Sequence, residues 1–420
     1  MSAQNSVEQK LIAAVRQSMQ TAPNAQRCWL AVSGGLDSMV LMHIAAPLLG
    51  PQVVHINHQL SPHANSWADQ VKASATALGL SCITQQVNVE PKGQGLEQAA
   101  RQARYAVFEA CLETDDCLLL AHHQNDQAET LLLRLLRGAG LAGLGAMATL
   151  RPLGRGHLLR PFLHISRAEL LAYAQAKHIA WVEDESNASR LFDRNYLRHS
   201  IFPSLTQRWP KTSEKLANTA GLLREDYRLL ETFLLADLAL LEPRAERWGQ
   251  SIALPTLLTK TPHHRHSLLR TWLNQQQFAV PSQAHLQQID QLCSARVDST
   301  GCVSFGNCEI RRFAQRLYAM PPVPTFNPDW QGVWSKDTPP QLPTGSFLPP
   351  RPQDLGLPLG NYTLRFRRGG ERCRPIGRNH SQSLKKLLQE AHVVPWLRDR
   401  IPLVYTGEHL VAVGDLWLNH

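Results

Sequence analysis

Between residue 27 and about residue 205, short apolar runs alternate with longer segments whose apolar positions recur every three or four residues. The short runs, 28–32, 53–57, 82–87 and 117–121, have the length and composition of strands. The longer segments, 37–49, 64–78, 96–111 and 126–137, read as helices. Strand and helix in alternation predict an α/β fold: a parallel sheet with helices on both faces. Ligands of such sheets sit beyond the carboxyl ends of the strands.

From about 211 to 292 the rhythm changes. Leu222, Leu223, Tyr227, Leu230, Phe233 and Leu234 recur at helical spacing, which predicts an all-helical middle domain. Residues 321–358 hold eleven of the 27 prolines, which suits neither a helix nor a central strand. This stretch reads as a linker with some extended structure. After it, 362–367 and 410–413 read as strands flanking a helix at 383–390, a small α+β domain. The expected division is 1–210, 211–320, 321–357 and 358–420.

The first strand runs into Ser33-Gly34-Gly35-Leu36-Asp37-Ser38, and a helix follows. A strand, a glycine turn and a helix start form an anion cradle, because backbone N–H groups and the helix dipole converge there. Gly34 and Gly35 let the backbone approach phosphate oxygens with no Cβ in the way, and Ser33 and Ser38 add hydroxyls. No G-x-x-x-x-G-K-[ST] string occurs, so no P-loop lysine reaches for a γ-phosphate. A cradle of this kind suits an ATP whose pyrophosphate is held as a leaving group.

Other polar residues cluster at predicted strand ends. Asn57 and His58 close the second strand and face either a nucleotide or water. His122 to Thr130 follow a later strand and open a helix, with Asp126 and Glu129 three apart on one face. The pair resembles a capping box, and it could also hold Mg²⁺ or orient a cationic amine. Arginines recur at helical spacing at Arg101 and Arg104, at Arg134 and Arg137, and at Arg190, Arg194 and Arg198. Such stripes suit a solvated face or a phosphate-rich substrate.

Composition sharpens this picture. The chain of 420 residues exceeds one ordinary core, and its 43% hydrophobic content suffices for several. The formal charge of +9 is concentrated, because 361–400 hold ten Lys/Arg against Glu371, Glu390 and Asp399. Arginines and lysines around glycine turns, with Phe366 and Trp396 nearby, suit RNA backbone and exposed bases. The eight cysteines form no C-x-x-C pair, and the spacing of Cys293, Cys302 and Cys308 fits no common zinc pattern. With no signal-peptide core and no bilayer-spanning run, the expected setting is the cytoplasm, with no membrane contact. No protein partner is predicted.

The hexapeptide 33–38 resembles the signature of the PP-loop ATP pyrophosphatases, enzymes that adenylate a substrate. More of the chain is similar to the bacterial tRNA(Ile)-lysidine synthetases. The similarity covers Asp126–Thr130, Arg134 to Leu144, Asp184-Glu185-Ser186-Asn187 with Arg194-Asn195, and the C-terminal strings Arg367-Arg368-Gly369-Gly370-Glu371, Leu384-Lys385-Lys386-Leu387-Leu388 and Val413-Gly414-Asp415-Leu416-Trp417. The resemblance implies ATP-dependent ligation of free L-lysine to the wobble cytidine of an isoleucine tRNA bearing a CAU anticodon. It implies that Ser33, Gly34, Gly35, Leu36, Asp37 and Ser38 bind ATP, with Asn57 beside the nucleoside. Asp37, Asp126, Glu129 and Arg194 would be catalytic, and Asp37 and Asp126 would hold Mg²⁺. Arg198, Arg367, Arg368, Arg372, Arg374, Arg378, Lys385 and Lys386 would contact tRNA. The rival readings are a tRNA thiolation enzyme, which would want a paired reactive cysteine, a small-molecule amide ligase of the same superfamily, which would not need the basic C-terminal domain, and a non-catalytic RNA-binding protein, which would not need the cradle.

Overall fold

A strand that is apolar on both faces needs cover on both, and 28–32 is such a strand. It forms β1 (Cys28–Ala31), flanked by β2 (Gln52–Asn57) and β4 (Cys117–Leu119), in a sheet completed by β3 (Cys82–Gln86), β5 (Leu150–Leu153) and β6 (Gly156–Leu159). The spatial order is β3-β2-β1-β4-β6-β5. All pairings are parallel except β5 with β6, an antiparallel edge hairpin outside the predicted elements. The computed structural model describes residues 3–89, 95–185, 192–295, 301–334, 342–343 and 360–420, in two compact units, Met1–Leu230 and Glu231–His420.

The two faces of the sheet carry different layers. Leu30, Cys117 and Leu119 pack with α1 (Ala3–Gln20), α2 (Leu36–Leu49), α3 (Ala64–Ala77) and α7 (Arg167–Ala176) through Leu11, Leu41, Val71 and Leu170. Trp29, Val54 and Leu118 face the other way and pack on Phe108 and Leu112, at the end of α4 (Leu96–Cys111). The chain runs outward from β1 to β3, then recrosses through α4 to β4. The strand order therefore reverses between β1 and β4, and a crevice opens at their carboxyl ends. The Ser33 turn leaves β1 there, and His122-His123 leave β4 there.

The first unit continues through α5 (Gln124–Leu136), α6 (Leu141–Leu144), α8 (Asp193–Tyr196), a π-helical turn at Leu197–Ile201 and α9 (Phe202–Arg208) into the long α10 (Thr212–Ala239). α10 is helical as the periodicity implies. Its Leu222 and Phe233 are nevertheless 63% exposed, and Leu234 and Leu238 are buried instead.

The second unit carries the expected middle helices, α11 (Leu254–Leu258), α12 (Pro262–Gln275) and α13 (Gln283–Ser294). It adds an antiparallel sheet that the helical pattern does not reveal. The strands are β7 (Arg244–Ala245), β8 (Gln250–Ala253), β9 (Cys302–Phe305), β10 (Cys308–Phe313) and β11 (Arg316–Met320), in the order β7-β8-β11-β10-β9. They are short, and only alternate positions such as Val303, Phe305, Cys308 and Ile310 reach the core around Trp272. Of the proline-rich stretch, Gln331–Trp334 forms β12, an edge strand, and most of the remainder (335–341 and 344–359) lies outside the described residues. β12 joins β13 (Tyr362–Arg365), β16 (Leu403–Thr406), β17 (His409–Val413) and β18 (Trp417–Leu418) in a second antiparallel sheet. The ribbon β14 (Arg372–Cys373) with β15 (Gln382–Ser383), then α14 (Leu384–Glu390) and α15 (Pro395–Arg398), completes the chain's fold. Among the described residues no helix is long and apolar enough to cross a membrane.

Candidate active site

The turn after β1 is tight. Gly34 has φ +92°, and a Cβ there would stand 3.2 Å from Val71 Cγ2. Its carbonyl accepts a hydrogen bond from the Val182 amide at 2.9 Å, which pins the loop from outside. The two serines serve the turn itself. Ser38 Oγ donates to the Gly35 carbonyl at 2.9 Å and accepts from the Ser33 amide at 3.2 Å. Ser33 Oγ lies 3.2 Å from Ser38 Oγ and accepts from the Gly35 amide at 3.4 Å. Gly35 is the N-cap of α2 and supplies no side-chain hydrogen bond, so the helix start faces the crevice without a side-chain cap.

Asp37 sits in the first turn of α2, and across the crevice stands the start of α5. The capping box of α5 is made by His123 and Asp126, not by Asp126 and Glu129. Asp126 Oδ2 accepts the His123 amide at 3.0 Å, and the Asp126 amide donates to His123 Nδ1 at 3.3 Å. His123 Nε2 stands 3.5 Å from Asp37 Oδ2 and 3.5 Å from Asp126 Oδ2. Burial alone would push this imidazole down; Asp126, Asp37 and Glu129 outweigh it and hold it above its ordinary value. Burial would likewise raise the Asp126 carboxyl, but His123 and Arg194 beside it hold it well below the usual range.

Arg194 on α8 and Arg198 on the π-helical turn, four residues apart, both reach down to α5. Glu129 Oε2 accepts from Arg194 Nε at 2.7 Å and from Arg198 Nη2 at 3.0 Å, and Oε1 accepts from Arg198 Nε at 2.8 Å. Asp126 Oδ1 accepts from Arg194 Nη2 at 3.0 Å and Arg198 Nη2 at 3.3 Å. Two guanidiniums and two carboxylates thus form one closed node, with both acids nearly enclosed. Asp37 differs, because its Oδ1 is buried with no hydrogen-bond partner among the described residues.

The remaining predicted residues divide. Asn57 is buried, donating to Asn65 Oδ1 at 2.8 Å and accepting the Gln59 amide at 2.9 Å, so its amide shapes the strand end. His55, below the turn, has Nδ1 2.8 Å from the Val32 carbonyl, and Nδ1–H is the donor because a carbonyl can only accept. Ser186, Asn187 and Arg190 lie outside the described residues. The pattern alone does not single out His123, the link between Asp37 and Asp126; its one signal is its position between a strand end and a helix start.

Three families match in chain order. The PP-loop domain family covers residues 4–205, the TilS substrate binding domain covers 253–318, and the TilS substrate C-terminal domain covers 362–420. The chain is 37% identical over 404 residues to a tRNA(Ile)-lysidine synthase of Coxiella burnetii, spanning 93% of this chain and 88% of that protein. It is 40% identical over 402 residues to the enzyme of that name from Alkalilimnicola ehrlichii, with 92% and 89% covered. Against the Xylella fastidiosa enzyme it is 41% identical over 402 residues, with 93% and 90% covered. The chain belongs to the tRNA(Ile)-lysidine synthase family.

In this family member the C-terminal basic residues have unequal surroundings. Arg368 and Lys385 are exposed. Arg367 pairs with Asp399 at 2.6 Å, Arg378 with Glu390 at 2.7 Å, and Arg372 donates to the Ser381 carbonyl at 2.7 Å. Lys386 stands 3.9 Å from Glu390, and the Arg374 amide donates to Asn419 Oδ1 at 2.6 Å. Glu371 accepts the Arg368 and Gly369 amides and so shapes the glycine turn. Phe366, expected to meet RNA bases, is fully buried against Phe326 and Trp330. Trp396 packs edge-on against Phe313 and Tyr318. Phe366 is core, and Trp396 is half-buried against a small cluster with Tyr318, because a large apolar ring gains most by packing on the sheets.

Proposed function

We propose that this chain ligates L-lysine to C2 of the wobble cytidine in the CAU anticodon of an isoleucine tRNA, converting ATP to AMP and pyrophosphate. The observation that carries the reading is the union, in one chain, of a PP-loop domain whose Ser33–Ser38 turn carries no lysine with two tRNA-lysidine substrate domains. The cytosine O2 attacks the α-phosphate, the α–β phosphoanhydride bond breaks, and pyrophosphate leaves. The ε-amine of lysine, deprotonated, then forms the C–N bond at C2 as the C2–O bond breaks and AMP departs.

The chain's residues divide this work. The Gly34 turn and the start of α2 hold the departing phosphates. Asp37 suits a magnesium ion, since its buried Oδ1 lacks a partner among the described residues and Mg²⁺ takes one or two carboxylates with phosphate oxygens. Such an ion would draw charge from those oxygens. Asp126, whose oxygens are taken, serves through His123, holding it beside Asp37. An incoming ammonium competes with Arg194 and Arg198 for Asp126 and Glu129, and a displaced guanidinium becomes available to a phosphate. The C-terminal domain grips the tRNA body through Arg367, Arg368, Arg372, Arg374, Arg378, Lys385 and Lys386. The setting is the cytoplasm, where ATP, lysine and tRNA coexist.

Incubation with ATP, labelled lysine and a CAU-bearing isoleucine transcript tests the reading. Lysine incorporation into RNA with stoichiometric AMP is expected. Replacement of an RNA oxygen by sulfur, or no change in the mass of the RNA, would overturn it.

A further inference from the structure

Beside the crevice lies a second group of five arginines, from α4, α5, β5, the end of β6 and α10. Arg160 follows β6 directly and so stands at the same carboxyl edge of the sheet as Ser33 and His122. It is 3% exposed, donates to the Ala148 carbonyl at 2.7 Å, and reaches His122 Nδ1 at 3.3 Å. Arg101 and Arg151 sit on the ring of Tyr105, 4.8 Å and 5.1 Å from its centroid, and Arg101 donates to its hydroxyl at 3.3 Å. Arg134 donates to the carbonyls of Gly143 and Ala146 at 2.7 and 2.8 Å. Arg224 approaches from α10, and its Nη2 is buried with no hydrogen-bond partner among the described residues.

The contrast with Arg194 and Arg198 is electrostatic. Those two meet carboxylates; the guanidiniums of Arg134 and Arg160 meet carbonyls, a histidine, the Tyr105 hydroxyl and the charge of other arginines, and no carboxylate among the described residues. Burial, then Arg228, Arg134 and Arg160, push Arg224 down to about 10. Gathering like charges at low dielectric is costly unless an anion completes the set. The backbone is arranged to bring Arg224 in. A Cβ at Gly145 would stand 3.1 Å from Arg224 Cβ and 3.3 Å from its Cα, so any larger residue would push α10 back by a few tenths of an ångström.

We propose that Arg224, Arg160, Arg101 and Arg151 bind backbone phosphodiesters of the RNA loop whose base enters the crevice. The inference rests on the function proposed above and names an RNA contact within the PP-loop unit. The favoured anion is RNA rather than the ATP triphosphate for two reasons. The Gly34 turn already supplies a triphosphate cradle, and this cluster extends from the buried Arg160 to the exposed Arg101, a run suited to a chain of phosphates. A planar guanidinium held over a ring is already ordered for bidentate phosphate contact.

Full-length Arg224→Gln and Arg101→Gln proteins test this. The tRNA dissociation constant of Arg224→Gln should rise about tenfold, as for loss of a charge-assisted hydrogen bond. The log–log slope of binding against salt should fall by about 0.7 for each phosphate that is no longer neutralised. ATP affinity measured without RNA should stay unchanged, and thermal stability should hold or rise as like-charge repulsion is relieved. If wild type forms lysidine while both variants keep tRNA affinity and salt slope, this inference fails and the function stands. Loss of ATP affinity with tRNA binding intact would reassign the cluster to the nucleotide and overturn it equally. A wild-type protein that forms no lysidine would overturn the function itself.

Discussion

Replacing Glu129 by Gln probes the arginine–carboxylate node at its best-enclosed member. Its side chain is 3% exposed and accepts three hydrogen bonds, at 2.7, 2.8 and 3.0 Å. Glutamine keeps the shape, removes the charge and turns one acceptor into a donor facing a guanidinium. Asp126 Oδ1, at 3.0 and 3.3 Å, would then be the one charged acceptor the two arginines share in the node, beside a single neutral amide oxygen. Breaking a buried pair by removing one partner costs about 3–5 kcal/mol. The arginine side chains are 28% and 32% exposed, so water recovers part of the loss, and the lower end, about 3 kcal/mol, is expected. For a unit of this size that lowers the melting temperature by about 6–12 °C. Calorimetry on Glu129→Gln, Arg198→Gln and the double variant measures both the shift and the coupling. The coupling should be about 1–3 kcal/mol, because the residues share a network. A midpoint change below about 1 °C for Glu129→Gln, or strictly additive singles, would show that the node carries no such energy.

Two further outcomes follow from the same site. Gly34→Ala should lose about 1–2 kcal/mol, since φ is +92° and the new methyl meets Val71 at 3.2 Å, and should weaken ATP binding at least tenfold; titration calorimetry that returned wild-type ATP affinity would contradict this. His122 is pushed down to about 3, chiefly by burial and also by Arg160, Arg194 and Arg104, against an unfolded value of about 6.5. The unfolded chain therefore binds this proton first, and stability should fall as pH drops from about 6.5 toward 3. His122→Asn should flatten that limb of a denaturation series, and superimposable limbs would refute the assignment.

The sequence and the structure agree where neighbours along the chain decide the outcome. The strands 28–32 and 117–121, the helix 96–111 and the glycine turn at Gly34 are legible because apolar period, glycine and strand end lie within a few residues of one another. The antiparallel strands between Arg244 and Met320 are not, because they are short, half-exposed and paired with partners that follow no local rule. α5 starts two residues before its predicted position, because His123 is an uncommon N-cap and its role emerges only beside Asp126.

The site follows the same division. The amino-acid order by itself determined that an anion cradle would open a helix after the first strand, that Asp126 and Glu129 would share a helix face, and that the basic excess would collect near the C-terminus. Only the tertiary structure decided what those groups meet. Arg194 and Arg198 close on carboxylates 65 to 72 positions away, and Asp37 keeps an oxygen with no partner among the described residues, opposite a histidine that follows another strand. Arg224 arrives from a distant helix with a guanidinium nitrogen that has no partner among the described residues, while Phe366 vanishes into a core. Local periodicity depends on backbone hydrogen bonds and burial, whose spacing is written residue by residue. Charge pairing depends on which elements the topology brings together, and the reversal of strand order at β1 and β4 is what brought these together.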